Sequence, residues 1–147
     1  MITFNKPFII GNELKYIEDA VKSLKISGDG KYSKKCQRYF EEKYHFQKTF
    51  LTTSCTDALE MTSLLAEIEE GDEVIIPSFT FVTTATPFVL RGAIIRFADS
   101  LVNEPNIDPK HVEVLITEKT KAIVVVHYAG VACNMDAILE VAERHNI

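Results

Sequence analysis

Apolar and polar positions follow one period in the first third of this chain and two alternating periods in the rest, with the change near residue 48. Before it, residues 12–24 carry Leu14, Ile17, Val21 and Leu24 at helical spacing with charged residues between them, which predicts an amphipathic helix. Ser27-Gly28-Asp29-Gly30 is expected to stop it, because two glycines in four residues favour turns. A second helix is predicted from Ser33, a candidate N-cap, burying Cys36, Phe40 and Tyr44. The first ten residues are apolar with an early Pro7 and read as an extended arm.

After residue 48, short Val- and Ile-rich runs alternate with helical patterns. Residues 49–52, 73–76, 93–97 and 122–126 read as strands. Residues 56–68 read as a helix with Leu59, Leu64, Leu65 and Ile68 on one side, ended by Gly71. Residues 80–90 read as a helix that Pro87 kinks or shortens. Residues 106–115 give a connection and a short helix, with Asp108-Pro109 as cap and first helical position. Asn134 is expected to cap a last helix that turns Met135, Ile138, Leu139 and Ala142 inward. Unbroken apolar strands separated by helices predict an α/β fold, a mostly parallel sheet with helices on both faces and right-handed crossovers. The expected organisation is an arm and helices over 1–47, then the first part of an α/β domain over 48–147. The last predicted helix finishes at residue 147, where a further strand is expected, so the sequence reads as the front portion of a longer polypeptide.

Composition narrows the functional classes. A chain of 147 residues, 46% apolar and 25% charged, is ordinary globular protein. A net charge of −5 with interspersed signs gives no electrostatic footprint for nucleic acid or an anionic membrane. The longest apolar stretches fall short of a bilayer span, and the N-terminus lacks the charged-then-apolar order of a signal peptide. Cys36, Cys55 and Cys133 are an odd number in no metal-ligand spacing, so no metal site is predicted. They point to reduced thiols in a cytoplasm, with Cys36 and Cys133 expected in the core.

In an open parallel sheet, ligands bind beyond the carboxyl ends of the strands, and three segments fall there. The first is Thr52-Thr53-Ser54-Cys55-Thr56-Asp57-Ala58-Leu59, entering a helix. Free N–H groups and the dipole at a helix N-terminus make a phosphate site, to which Ser54 and Thr56 add hydroxyls. Local sequence alone favours plain N-capping by these residues over a ligand role. Nothing glycine-rich is present, so this is neither a P-loop nor a dinucleotide fingerprint. The second segment runs from Pro77 to Thr84, where an aromatic lies flat on a planar ligand or, more usually for Phe, packs in a core. The third is His127-Tyr128-Ala129-Gly130, whose His donates a hydrogen bond to a ligand or, more usually for a lone His, serves the structure. Cys55 at a helix start has the setting of an activated thiolate, but no His or acid is placed by sequence to serve it. No residue is therefore assigned a catalytic role.

Together, Ser54-Cys55-Thr56-Asp57-Ala58-Leu59, the run from Gly71 to Val82, Arg91-Gly92-Ala93 and His127-Tyr128-Ala129-Gly130 resemble the sugar-nucleotide aminotransferases, the DegT/StrS-like family of pyridoxal-phosphate enzymes. Phe4-Asn5-Lys6-Pro7, Gly28-Asp29-Gly30 and Val131-Ala132-Cys133-Asn134-Met135-Asp136 extend the resemblance over essentially the whole chain. It implies the fold type I aminotransferase architecture, with residues 48–147 as the incomplete first part of the large, cofactor-binding domain. It implies pyridoxal 5'-phosphate as cofactor, with Ser54, Cys55 and Thr56 around its phosphate and Phe81 stacked on its pyridine ring. Most relatives carry Gly or Ala where this chain has Cys55. Gly28-Asp29-Gly30 resembles a stretch near the active-site mouth, and no role is assigned to Asp29, His127 or Tyr128. In this family the acid on the pyridine nitrogen and the Schiff-base lysine follow the position of Ile147, so this chain alone is expected to be inactive. For the complete enzyme, the resemblance implies transfer of an amino group from glutamate to the C4 ketone of dTDP-4-oxo-6-deoxy-D-glucose, by a cytoplasmic homodimer in cell-surface polysaccharide synthesis. A related enzyme acting on another nucleotide-linked oxo sugar and a non-catalytic binding module of the same fold are the alternatives.

Overall fold

The computed structural model describes residues 6–147, and residues 1–5 of the expected arm, with Phe4 and Asn5 of its motif, lie outside the described residues. The chain divides into two units, one ending at Leu51 and one spanning Thr52–Ile147.

In the first unit, α1 (Glu13–Lys22) is fixed at its start by the Glu13 carboxylate, which accepts the Ile10 and Gly11 N–H groups at 2.8 and 2.9 Å. Those backbone bonds hold the Glu13 carboxyl below its usual range. The helix ends where Leu24 takes a left-handed φ of 56°, before the glycine turn expected to stop it. A second left-handed residue, Asp29, turns the chain so that α2 (Lys31–Tyr44) starts from Gly30 rather than Ser33. The Asp19 carboxylate accepts from Lys31 Nζ at 2.7 Å and the Tyr32 hydroxyl at 2.8 Å, joining the two helices through polar groups. The expected burial of Cys36, Phe40 and Tyr44 is not found. Cys36 is exposed, and Phe40, Tyr44 and Phe46 stack as an outer row with ring centroids 5.8 Å apart. Neither helix holds a buried residue, because an apolar stripe is covered only by a further layer and the described residues of this unit supply none. Residues 49–52 are not a strand: the Thr49 N–H goes to the Glu41 carboxylate at 3.0 Å instead of to a neighbouring strand.

The second unit is built on β1 (Glu73–Pro77), whose five residues are all buried. Both neighbours, β2 (Ile94–Ala98) and β3 (Thr120–Ile123), run parallel to it, giving the order β2-β1-β3. Glu73 faces Ile94 and Thr120, and Ile75 faces Arg96 and Ile123. An irregularity after Glu73 leaves one extra residue on β3. Regular pairing of β3 ends earlier than expected, although the Val124 N–H still reaches the Ile75 carbonyl at 2.8 Å.

Helices cover both faces, as the apolar strands require. On one side Val74 and Ile76 pack with Ile68, Ala93 and Phe88 of α4 (Thr86–Val89), against which α3 (Cys55–Leu65) packs in turn. On the other, Ile75 and Ala98 pack with Val112 of α5 (Pro109–Leu115) and Ile138 and Val141 of α6 (Met135–His145). Asp108 caps α5 with Pro109 in its first turn, and Asn134 caps α6 by accepting the Ala137 N–H. Leu139 is exposed and Val141 takes its expected inward place, since Val141 lies nearly one turn from Ile138 and Leu139 is a step round. α3 stops at Ala66, where Glu67 is left-handed, so Leu64 and Leu65 face out and Ile68 is buried beyond the helix. The expected helix over residues 80–90 is broken into a 3-10 turn, Val82–Thr84, and the four residues of α4, with Pro87 in the first turn. Gly92 then needs its missing side chain: φ is 87° and a Cβ would fall 2.9 Å from the Glu70 Cα.

At the amino end of β1, the buried Glu73 carboxylate accepts from Arg96 at 2.6 Å and the Thr117 hydroxyl at 2.8 Å. Arg96 first, then Thr117, holds this carboxyl below its usual range despite burial. A depressed folded-state value stabilises the fold above the unfolded value near 4.5, and the contribution is lost as pH falls through the folded value. We expect urea midpoints of the protein carrying this chain to drop on acidification below that value, and Glu73→Gln to flatten the drop. An unchanged acid limb in the variant would place the effect elsewhere.

Candidate functional site

Parallel pairing brings the carboxyl ends of the strands to one edge of the sheet. At that edge a cavity of about 490 Å³ opens between three pieces of chain. Cys55, Thr56 and Leu59 come from the start of α3, and Thr80, Phe81, Thr83 and Thr84 from the loop after β1. Val124, Val125, Val126 and Tyr128 come from the chain leaving β3. The valines and Leu59 make the lining largely apolar, and Thr56, Thr80, Thr83 and Thr84 add polar side chains.

Ser54 does not line the cavity; it sets the turn that does. Its Oγ accepts the Asp57 N–H at 3.1 Å, and its carbonyl takes the first intrahelical bond, from Ala58, at 3.2 Å. The N–H groups of Cys55 and Thr56 therefore stand ahead of the helical ladder, at the positive end of the dipole. The Thr53 hydroxyl donates to the Asp57 carboxylate, and that bond, with Ser54, holds the acid below its usual range. This keeps an anion on the third helical residue, where it suits the dipole.

Phe81 is 72% exposed at the cavity and belongs to neither apolar cluster of this unit. It precedes the Val82–Thr84 turn, and the Thr80 and Thr84 hydroxyls, 2.8 Å apart, tie the loop on either side of it. His127 is not in the lining: its Nδ1 accepts the Cys133 N–H at 3.1 Å and closes a loop. Tyr128 is in the lining, with its ring 5.0 Å from that of Phe79. Cys55 is exposed and Cys133 buried. Leu59, Thr80, Thr83 and Thr84 lie in two of the segments that the sequence places at this edge, without a role of their own, and the three valines read there only as strand.

The lining holds the first two residues of α3, an exposed ring and four threonines, but neither lysine nor carboxylate. Helix starts suit anions and exposed rings suit flat apolar bodies. Among the described residues, no group of His, Cys, Asp and Glu has an arrangement for a metal ion, and no helix is long and apolar enough to cross a membrane.

The family model described as the DegT/DnrJ/EryC1/StrS aminotransferase family matches residues 7–147. The chain is 34% identical over 142 residues to GDP-perosamine synthase of Escherichia coli O157:H7, covering 97% of this chain and 39% of that protein. It is 34% identical over 146 residues to the spore coat polysaccharide biosynthesis protein SpsC of Bacillus subtilis (strain 168), covering 99% and 37%. Among solved structures, the aminotransferase from Psychrobacter cryohalolentis matches with a TM-score of 0.90 at 29% identity, over 97% of this chain and 36% of that one. Spr1654 from Streptococcus pneumoniae, solved in a PLP form, matches with a TM-score of 0.86 at 31% identity, over the same shares. The chain spans about two fifths of the length of the curated relatives it matches.

Because Ser54 shapes the start of α3, we expect Ser54→Ala to lower stability by about 1 kcal/mol, and Ser54→Asp to restore most of it. Urea unfolding of the protein carrying this chain measures both. An unchanged midpoint in Ser54→Ala would show that the cap carries no weight.

Proposed function

As this chain belongs to the DegT/DnrJ/EryC1/StrS aminotransferase family, we propose that it provides the phosphate- and ring-binding half of the cofactor site in a pyridoxal-phosphate-dependent sugar-nucleotide aminotransferase. The observation that supports this most is a coincidence of place. The leading N–H groups of α3 and the exposed Phe81 ring meet at one largely apolar cavity, which fits a phosphorylated planar heterocycle.

Each residue then has a role set by its geometry. Cys55 and Thr56 would donate N–H groups to the phosphate, Ser54 holds the turn that would aim them, and Phe81 would cover the pyridine ring. The valines of the lining would exclude water from the bound ring. When bound, the cofactor supplies the electron sink that amino transfer requires. The amine and acid such chemistry needs are assigned to protein outside this cavity's lining, so this stretch binds and orients but is inactive alone.

For the complete enzyme we propose glutamate as amino donor and the C4 ketone of a nucleotide-linked 4-oxo-6-deoxy sugar as acceptor, in a cytoplasmic homodimer serving cell-surface polysaccharide synthesis. The motifs resemble those of dTDP-4-amino-4,6-dideoxygalactose transaminase of enterobacterial common antigen synthesis, a reading that makes dTDP-4-oxo-6-deoxy-D-glucose the first substrate. A GDP-linked oxo sugar is the second reading, favoured by the name GDP-perosamine synthase borne by relatives 31–34% identical to this chain.

We expect Phe81→Ala to weaken pyridoxal phosphate binding by about fivefold, as the loss of roughly 1 kcal/mol of ring contact would do. Equilibrium dialysis with the protein carrying this chain measures it, and unchanged affinity would remove Phe81 from the site. Incubation with glutamate and each 4-oxo sugar nucleotide, followed by mass spectrometry, decides the substrate. Amination of neither would overturn the aminotransferase reading.

A further inference from the structure

Tyr128 is the one member of the His127–Gly130 motif that reaches the cavity, and the loop carrying it is unfavourable on its own. Ala129 and Gly130 are consecutively left-handed, with φ of 53° and 82°, a conformation that a residue bearing a Cβ adopts reluctantly. Two local bonds, Gly130 N–H to the His127 carbonyl and Val131 N–H to the Tyr128 carbonyl, tighten the turn but do not anchor it. The Cys133 N–H bond to His127 Nδ1 closes the loop, and the tie to a distant part of the chain comes from Asn106, which is 1% exposed. Its Nδ2 donates to the Val131 and Ala132 carbonyls, both at 3.2 Å, and its Oδ1 accepts the Tyr128 N–H at 3.2 Å. Asn106 is itself held fast: its carbonyl accepts the Leu101 N–H at 2.9 Å, and the adjacent Ile107 is buried in the core and bridged to Ser100.

From this geometry we infer that Asn106 is a positioning residue for the cavity: its side-chain amide locks the loop after β3 so that Tyr128 stays against Phe79 and forms one wall. The chemistry selects an amide. Aspartate keeps the acceptor for Tyr128 but sets a carboxylate against two carbonyls, and an apolar residue leaves one buried N–H and two carbonyls without that partner. Asn106 is absent from the cavity lining, so its influence on a ligand passes through Tyr128. That last step rests on the cofactor reading above; the locking of the loop does not.

The test compares wild type with Asn106→Ala in the protein carrying this chain. By hydrogen exchange, we expect the amides of residues 128–133 to exchange about tenfold faster in the variant, with those of β1 unchanged. A uniform rise in both regions, or none at 128–133, would overturn the proposal. By equilibrium dialysis, we expect pyridoxal phosphate affinity to fall severalfold on Asn106→Ala, but not when the same change is made on Tyr128→Ala. An equal fall in both backgrounds would also overturn it. Should Asn106→Ala fail to fold, Asn106→Asp goes through both comparisons. Wild-type protein that bound no pyridoxal phosphate would end the cofactor reading, and the exchange result would then decide the role of Asn106.

Discussion

The pairing of β1 on both sides with parallel neighbours is the constraint on which the second unit depends. Parallel strands cannot be joined by tight hairpins, so each connection crosses a face and leaves a helix there. Two buried faces follow, and the alternation along β1 shows them: Val74 and Ile76 belong to one apolar cluster, Ile75 to the other. The same constraint sets every strand's carboxyl end on one edge. Phe81 and Tyr128 share a cavity because the sheet brings their loops together, although 47 residues of chain separate them.

Within that cavity, structural and ligand roles do not compete. Ser54 satisfies the Asp57 N–H as an ordinary cap. In doing so it frees nothing for itself, yet it fixes the direction of the two N–H groups that follow. Phe81 differs: its ring lies outside both apolar clusters of this unit, in a loop tied by two threonine hydroxyls.

What was legible in the sequence was what local chemistry decides. The Val and Ile runs at 74–76 and 94–95, the Asp108-Pro109 start of α5 and the Asn134 cap of α6 all stand where pattern and capping rules place them. The illegible features depend on distant partners. Residues 49–52 have the composition of a strand, but the Thr49 N–H is taken by Glu41. Cys36 and Phe40 sit at helical spacing, but no layer among the described residues of their unit covers them. Ser33 looks like a cap, yet the left-handed Asp29 starts the helix three residues sooner. Of the candidate site, the start of α3 and the ring at 81 were readable because a helix N-terminus and an aromatic after a strand are local signals. Asn106 gave none, since its three partners lie 22 to 26 residues away.

The most direct measurement is a crystal structure of the protein carrying this chain with pyridoxal phosphate bound. The phosphate should sit within hydrogen-bonding reach of the Cys55 and Thr56 N–H groups, with the Phe81 ring over the pyridine. A phosphate bound away from the start of α3, or a Phe81 ring turned from the ligand, would contradict it.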